Sequence, residues 1–322
     1  MKAMDYSKCI LKNTLKQTFI NDAGISRIQP SWDENKLTSC PLCDGLKFVQ
    51  TTNDQNYAML TPCPGQKALR RIDAYNQAGI PARFMEATLN NYDLQNIHNA
   101  ARIRQFIANI QNFDKEPNGY LLEGGPGTGK THLLCAAIRF LTLEFGIPCK
   151  YIDYSNLLSD IRASYGQNIP ESNTIDPIVA VPVLFIDELG KGRDKANDFE
   201  IRIIDEIINR RYLNPKLVTM FASNYYDRDT SGYNLYIRNG YNPLSNSPSA
   251  SLQWKKYAEK SYKKEGFLSV EDYNTFVKQL MGRDHIEDRV SERTASRILV
   301  MARAMNIDAS DYRLSRQRID KA

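Results

Sequence analysis

Two short stretches of this chain carry residue types and spacings that do chemistry. Leu121 to Leu134 reads LLEGGPGTGKTHLL, and Val181 to Gly190 reads VPVLFIDELG. The first fits G-x-x-x-x-G-K-[ST], opened by Gly124 and closed by Gly129, Lys130 and Thr131. A triphosphate concentrates negative charge that must be held without crowding. Gly124, Gly125, Gly127 and Gly129 let the backbone approach it with N–H groups pointing inward. A helix opening near Lys130 adds the positive end of its dipole. Lys130 is placed to reach the β- and γ-phosphates and the Thr131 hydroxyl to ligate Mg²⁺. The expected nucleotide-binding run is thus Gly124, Gly125, Pro126, Gly127, Thr128, Gly129, Lys130, Thr131 and His132.

The second stretch is apolar (Val181, Val183, Leu184, Phe185, Ile186) and ends in Asp187-Glu188. A buried strand would deliver both carboxylates to the carboxyl edge of a sheet, where ligands sit in doubly wound folds. Asp187 is then the expected Mg²⁺ holder and Glu188 the residue that polarises the attacking water. Leu217–Asn224 (LVTMFASN) is a third apolar run. Asn224 at its end could bridge the water and the γ-phosphate, or be an ordinary turn residue.

The elements that must position these groups alternate. Strands are expected at Tyr120–Glu123, Pro148–Asp153, Val181–Asp187 and Leu217–Ser223. His132–Glu144 and Phe199–Tyr212 have helical apolar spacing, and His98–Asn112 reads as a helix entering the core. Alternation of this kind implies a parallel α/β sheet flanked by helices.

At 322 residues the chain can bury a large core and an accessory region. Hydrophobic residues make up 42% and charged residues 25%, as in globular proteins, and a net charge of +5 permits nucleic-acid contact without demanding it. No apolar run is long enough to span a bilayer, and the first twenty residues are too polar for a secretory signal, so a cytoplasmic location and no membrane partner are expected. The six cysteines form no even disulfide framework; Cys135 and Cys149 fall in apolar stretches and read as core.

Residues 1–78 read as a small module: a polar helix, then the cysteine knuckle Cys40-Pro-Leu-Cys43, then Cys63 and the basic helix Gly65–Ala78. Cys40, Cys43 and Cys63 are candidate Zn²⁺ ligands, but Pro64 and Gly65 stand where a fourth would follow, so a zinc site and a knuckle without metal both stay open. Gly79–Asp93 (GIPARFMEATLNNYD) reads as an ordered connector. Residues 225–285 read as an insertion within a second domain spanning 79–322. Its lysines Lys255, Lys256, Lys260, Lys263 and Lys264, with Tyr257 and Tyr262, form either a strand-binding surface or a solvated face. Ser269 and Asp272 form a candidate capping pair.

Taken in order, the phosphate loop, the Asp-Glu strand end, the strand-ending Asn and the late arginines resemble AAA+ ATPases. GIPARFMEATLNNYD, GGPGTGKTHL, VLFIDELGKGR, FASN, ERTASRI and DYR resemble in detail the bacterial helicase-loader group of DnaC/DnaI type, which also includes IstB-like transposition ATPases. The resemblance implies an AAA+ P-loop core that binds and hydrolyses ATP with Mg²⁺ in a homo-oligomer. It implies that Asn224 is sensor 1, that Arg297 is an arginine finger reaching the neighbour's γ-phosphate, and that Arg313 is sensor 2. It also implies a replicative-helicase partner gripped by the N-terminal region, and single-stranded DNA contacted at Lys191, Arg193 and Lys195, which could equally form a solvated basic loop. A transposition helper and a non-hydrolysing ATP-binding adaptor are the alternatives.

Overall fold

The computed structural model describes residues 18–29, 48–94, 100–167, 169–191, 198–226, 252–263, 268–281 and 285–307, and positions 43, 46, 236, 239, 241 and 312. In chain order the elements are β1 (Thr18–Asp22), β2 (Ile25–Gln29), β3 (Phe48–Thr52), β4 (Ala58–Pro62), α1 (Pro64–Ala78), α2 (Ala100–Gln111), β5 (Gly119–Glu123), α3 (Lys130–Phe140) and β6 (Cys149–Asp153). They continue as α4 (Tyr154–Tyr165), α5 (Ser172–Ala180), β7 (Val183–Asp187), α6 (Asp198–Tyr212), β8 (Val218–Ser223), α7 (Leu252–Ser261), α8 (Val270–Met281), α9 (Glu287–Val290), α10 (Glu292–Met301) and β9 (Ala302–Asn306). Among the described residues no helix is long and apolar enough to cross a membrane.

The central sheet runs β6-β7-β8-β5-β9, with every pairing parallel. This is the expected parallel α/β sheet flanked by helices. Its strands are apolar on both faces because helices cover both. Tyr120 and Leu122 of β5, Val183 and Phe185 of β7, and Val218, Met220 and Ala222 of β8 face one core with α1, α2 and α3. Leu121, Leu184, Ile186 and Phe221 face the other, against α4, α5, α6 and α10. The switch at every second residue is the strand period itself. Cys135 and Cys149 lie buried in the first core as expected.

The topology matters for chemistry because β8 lies between β5 and β7. Glu123 pairs with Ser223 and Ile186 with Phe221, so three strand ends finish side by side. These are the ends that carry the phosphate loop, Asn224 and Asp187.

Residues 1–17, where the polar helix is expected to begin, Cys40 and His98 lie outside the described residues. Ahead of α1 the described residues form two antiparallel hairpins. The β1–β2 turn is Ala23-Gly24 with φ of 50° and 85°, the left-handed pair that a two-residue hairpin requires. This hairpin docks onto α1: Ser26 Oγ and Tyr75 Oη are 2.8 Å apart, and the Ile28 N–H donates to Asn76 Oδ1 at 2.7 Å. Ile72, Tyr75 and Ala78 of α1 share the first core with α3. The packing is therefore continuous across residue 78. In the later insertion, Trp254 is fully buried among Tyr236, Tyr241, Tyr273 and Val277, with Tyr257 and Tyr262 against them. These two tyrosines pack into a local core instead of forming an open stacking surface, while Lys255, Lys256, Lys260 and Lys263 are exposed. The Ser269 hydroxyl accepts the Asp272 N–H at 3.0 Å, as a capping residue does.

Candidate functional site

The loop between β5 and α3 turns its carbonyls onto neighbours one after another. Lys130 Nζ donates to Gly124 O at 2.7 Å and to Gly125 O at 2.8 Å. The Tyr312 N–H donates to Gly127 O at 3.1 Å, and the Tyr92 hydroxyl to Thr128 O at 2.7 Å. The Leu133 N–H donates to Gly129 O at 3.0 Å and so starts α3. Gly124 and Gly129 are glycine for a geometric reason. Their φ values are 150° and 91°, and an added Cβ would come within 2.5 Å of Ile307 O at the first and 2.6 Å of the Tyr92 ring at the second. The ammonium of Lys130 is buried at the heart of this loop.

Across β8 stands the acidic pair. Asp187 is buried, and burial pushes its carboxyl above the ordinary range. Hydrogen bonds from the Thr131 and Tyr151 hydroxyls and the Glu188 N–H oppose that rise; the last two measure 2.8 and 2.9 Å. A buried carboxylate touching the phosphate-loop threonine is the donor set that a hard divalent cation takes. Glu188 adopts φ 54°, a left-handed backbone unusual for a glutamate, and its carboxylate forms an ion pair with Lys191. The loop after β7 is knitted to β8 by Leu189 N–H to Ala222 O (2.9 Å) and Ser223 Oγ to Leu189 O (2.8 Å). Asn224 follows directly, half-buried at the end of β8.

The structure thus brings together the loop, Thr131, Asp187, Glu188 and Asn224. His132 turns its ring elsewhere: Nε2 lies 3.0 Å from Asn91 Oδ1 and 3.3 Å from Thr88 O. Burial lowers its pKa, and a neutral Nε2–H suits two oxygen neighbours. Arg297 is held on α6, donating to Asp205 Oδ1 at 2.9 Å with its guanidinium 5.9 Å from the Tyr212 ring centre. Thr294 Oγ1 donates to the same oxygen. Arg313 lies outside the described residues, beside the Tyr312 whose amide reaches Gly127. Arg193 and Lys195 also lie outside them, and Lys191 is the partner of Glu188. Cys43 and Cys63 are buried and in no disulfide, and no group of three or more metal-ligating side chains occurs among the described residues. Tyr92, Tyr151 and Tyr312 are contacts that the sequence reading missed. Only Tyr92 had a signal, its place in the connector.

Residues 64–223 match the sequence profile of the family described as IstB-like ATP binding protein. That stretch is an IstB-like ATP-binding domain. It begins at α1 and ends with β8, so it contains the loop and the acidic pair. YqaM of Bacillus subtilis strain 168, an uncharacterized protein, is 37% identical over 102 residues, covering 31% of this chain and 32% of YqaM. The replicative helicase loader DnaC of Buchnera aphidicola subsp. Acyrthosiphon pisum is 24% identical over 159 residues, covering 49% of this chain and 63% of that protein. The chain therefore spans about a third to three fifths of the length of these curated relatives. A crystal structure of the DnaC helicase loader superposes with a TM-score of 0.46 and 21% identity, covering 70% of this chain and 99% of that one.

Proposed function

We propose that this IstB-like domain is the motor of an ATPase that, as an oligomer, loads a replicative DNA helicase onto single-stranded DNA. The observation that carries the ATPase reading is the convergence of three strand ends: the loop after β5, Asn224 after β8 and Asp187-Glu188 after β7. The loader reading draws support from relatives that bear that name.

In this reading Lys130 exchanges the carbonyls of Gly124 and Gly125 for the β- and γ-phosphates of ATP. The loop N–H groups between Gly124 and Thr131, Pro126 having none, hold the phosphates and exclude water from them. Thr131 and Asp187 are the residues that would hold Mg²⁺, whose chemistry is to neutralise charge between those phosphates. Glu188, once parted from Lys191, accepts the proton of the attacking water, and Asn224 orients that water. Arg297, parted from Asp205, serves the neighbouring subunit's γ-phosphate, a contribution of ~10³–10⁵ in rate where such fingers act. Arg313 serves as sensor 2 toward the nucleotide. Residues 1–78 are the partner-binding module, joined through α1, which packs into the core of the ATPase domain of residues 79–322, and Lys191, Arg193 and Lys195 contact the DNA. The compartment is the cytoplasm.

The test is Glu188→Gln. It is expected to retain ATP, to release no phosphate, and to hold the host's replicative helicase in an ATP-dependent complex on a column. Phosphate release at the wild-type rate would refute the role of Glu188, and the absence of a nucleotide-dependent helicase complex would refute the loader reading. The family match itself favours a second reading, a transposition helper that coats DNA. ATP-dependent filaments on duplex DNA, without helicase binding, would select it.

A further inference from the structure

A phosphate cradle works only if its N–H groups face the anion, and nothing intrinsic to a glycine-rich loop keeps them there. Each peptide unit is planar and trans, so its carbonyl and the following N–H point in opposite directions. Fixing a carbonyl outward therefore fixes the next amide inward. At the start of this loop Gly124 O and Gly125 O share the Lys130 ammonium, which itself lies at the heart of the loop. Further along, separate anchors hold Gly127 O (the backbone of Tyr312) and Gly129 O (the first turn of α3). Thr128 O is held by a side chain from outside the loop, the hydroxyl of Tyr92 at 2.7 Å.

Tyr92 is itself firmly seated. Its ring packs where any side chain on Gly129 would stand, with Cε2 2.6 Å and Oη 2.9 Å from such a Cβ. Its edge meets the His132 ring, centroids 5.6 Å apart. The turn before it is self-capped: the Thr88 N–H donates to Asn91 Oδ1 (2.9 Å) and the Asn91 N–H to Thr88 Oγ1 (3.1 Å). The same turn is fastened to α3 by His132 and, further along, by Arg139 Nη1 donating to Met85 O at 2.7 Å. The connector is thus a rigid bracket along α3, with Tyr92 at its loop end.

We propose that Tyr92 is a positioning residue of the phosphate site. By holding the Thr128 carbonyl it orients the Gly129 N–H toward the phosphates of the bound nucleotide, and its ring enforces glycine at position 129. This rests on the reading of the loop as the ATP site. Lys130 moves onto the phosphates when nucleotide binds and so gives up its carbonyls, whereas the Tyr92 anchor has no such competing task. It keeps the middle of the loop shaped in both states.

The experiment compares wild type, Tyr92→Phe and Lys130→Ala by titration with a fluorescent non-hydrolysable ATP analogue. Melting of the nucleotide-free proteins and amide exchange at Gly129 are followed in parallel. Tyr92→Phe keeps the ring and loses only the hydroxyl. It is expected to bind roughly fivefold more weakly, the factor that one neutral hydrogen bond carries, while melting within about 2 °C of wild type. In wild type the analogue is expected to slow exchange of the Gly129 amide, and less so in Tyr92→Phe. Equal affinities overturn the proposal, as does a wild-type Gly129 amide that ignores the analogue. The latter measurement decides the matter if Tyr92→Phe melts well below wild type. If Lys130→Ala binds like wild type, the loop is not the nucleotide site and the wider reading fails. If Lys130→Ala loses binding while Tyr92→Phe does not, only the role of Tyr92 falls.

Discussion

The two ends of the central sheet each bury a cation, and each cation is satisfied by backbone carbonyls. At the carboxyl ends of the strands, Lys130 holds Gly124 O and Gly125 O. At the amino ends, Arg211 of α6 has no exposed surface and donates to the carbonyls of Ile178, Val179, Val181, Pro182 and Val218 and to Thr219 Oγ1. Burial draws its pKa down to about 10, which leaves it charged at neutral pH. The difference lies in what the carbonyls belong to. Those around Arg211 close α5 and open β7 and β8, elements fixed by packing on all sides, so its planar fork is locked in place. Those around Lys130 belong to a loop, and an ammonium on a flexible stem can trade them for phosphate oxygens. The same kind of interaction is architecture at one edge and a reversible rest position at the other.

Removing the lower cation is the severest test of this contrast. Arg211→Met strands several buried carbonyls and is expected to cost ~3–5 kcal/mol, read by denaturant unfolding. Whatever folded fraction remains should bind nucleotide normally. If its affinity fell while stability held, the two edges would not be separable. Lys130→Ala should do the reverse, weakening ATP binding by about 10²-fold, as loss of a charge-assisted contact does, with a small change in melting. Asp187→Asn sharpens the upper edge further. It removes a desolvated charge that burial disfavours, so the nucleotide-free protein should melt higher than wild type, while Mg²⁺ should no longer tighten ATP binding. A lower melting point would show that the hydrogen bonds from Tyr151 and Thr131 outweigh the burial. The smallest effect belongs to a cation of a third kind. Arg202 pairs with Glu171 on the surface at 2.7 Å, and its hydrogen bond lowers the glutamate pKa. The contribution is therefore present above the ordinary pKa of 4.5 and lost as pH falls through the lower folded value. Arg202→Met should cost no more than about 0.5 kcal/mol near neutrality and nothing at strongly acidic pH.

The parts of the core that could be read from sequence are those whose signal is contiguous. The loop motif, the apolar runs ending at Asp187 and Ser223, and the helix Phe199–Tyr212 each lie within one element and show its period. β9 escaped because it is an edge strand that buries only Ala302 and Met305, so its five residues show no alternation. The N-terminal hairpins escaped because Ala23-Gly24 is not one of the Asn-Gly or Asp-Gly pairs that mark a hairpin in sequence. Tyr151 and Tyr92 escaped for a different reason. Each meets its partner 36 positions away in the chain, and no local period encodes such a meeting. Arg297 could be named from ERTASRI, but its resting contact with Asp205, 92 residues earlier, could not.

One small feature near the sheet bears on how such a chain can diversify. Tyr226 and His285 form an isolated parallel bridge, and the Ile286 N–H donates to Tyr226 O at 3.0 Å. The backbone therefore departs after β8 and returns to the same spot before α9. The described elements between these two points, α7 and α8, thus lie between the two sides of a closed neck. Such a cassette can be lengthened, trimmed or exchanged in descent without moving the strand end that precedes it or the arginine-bearing helix that follows.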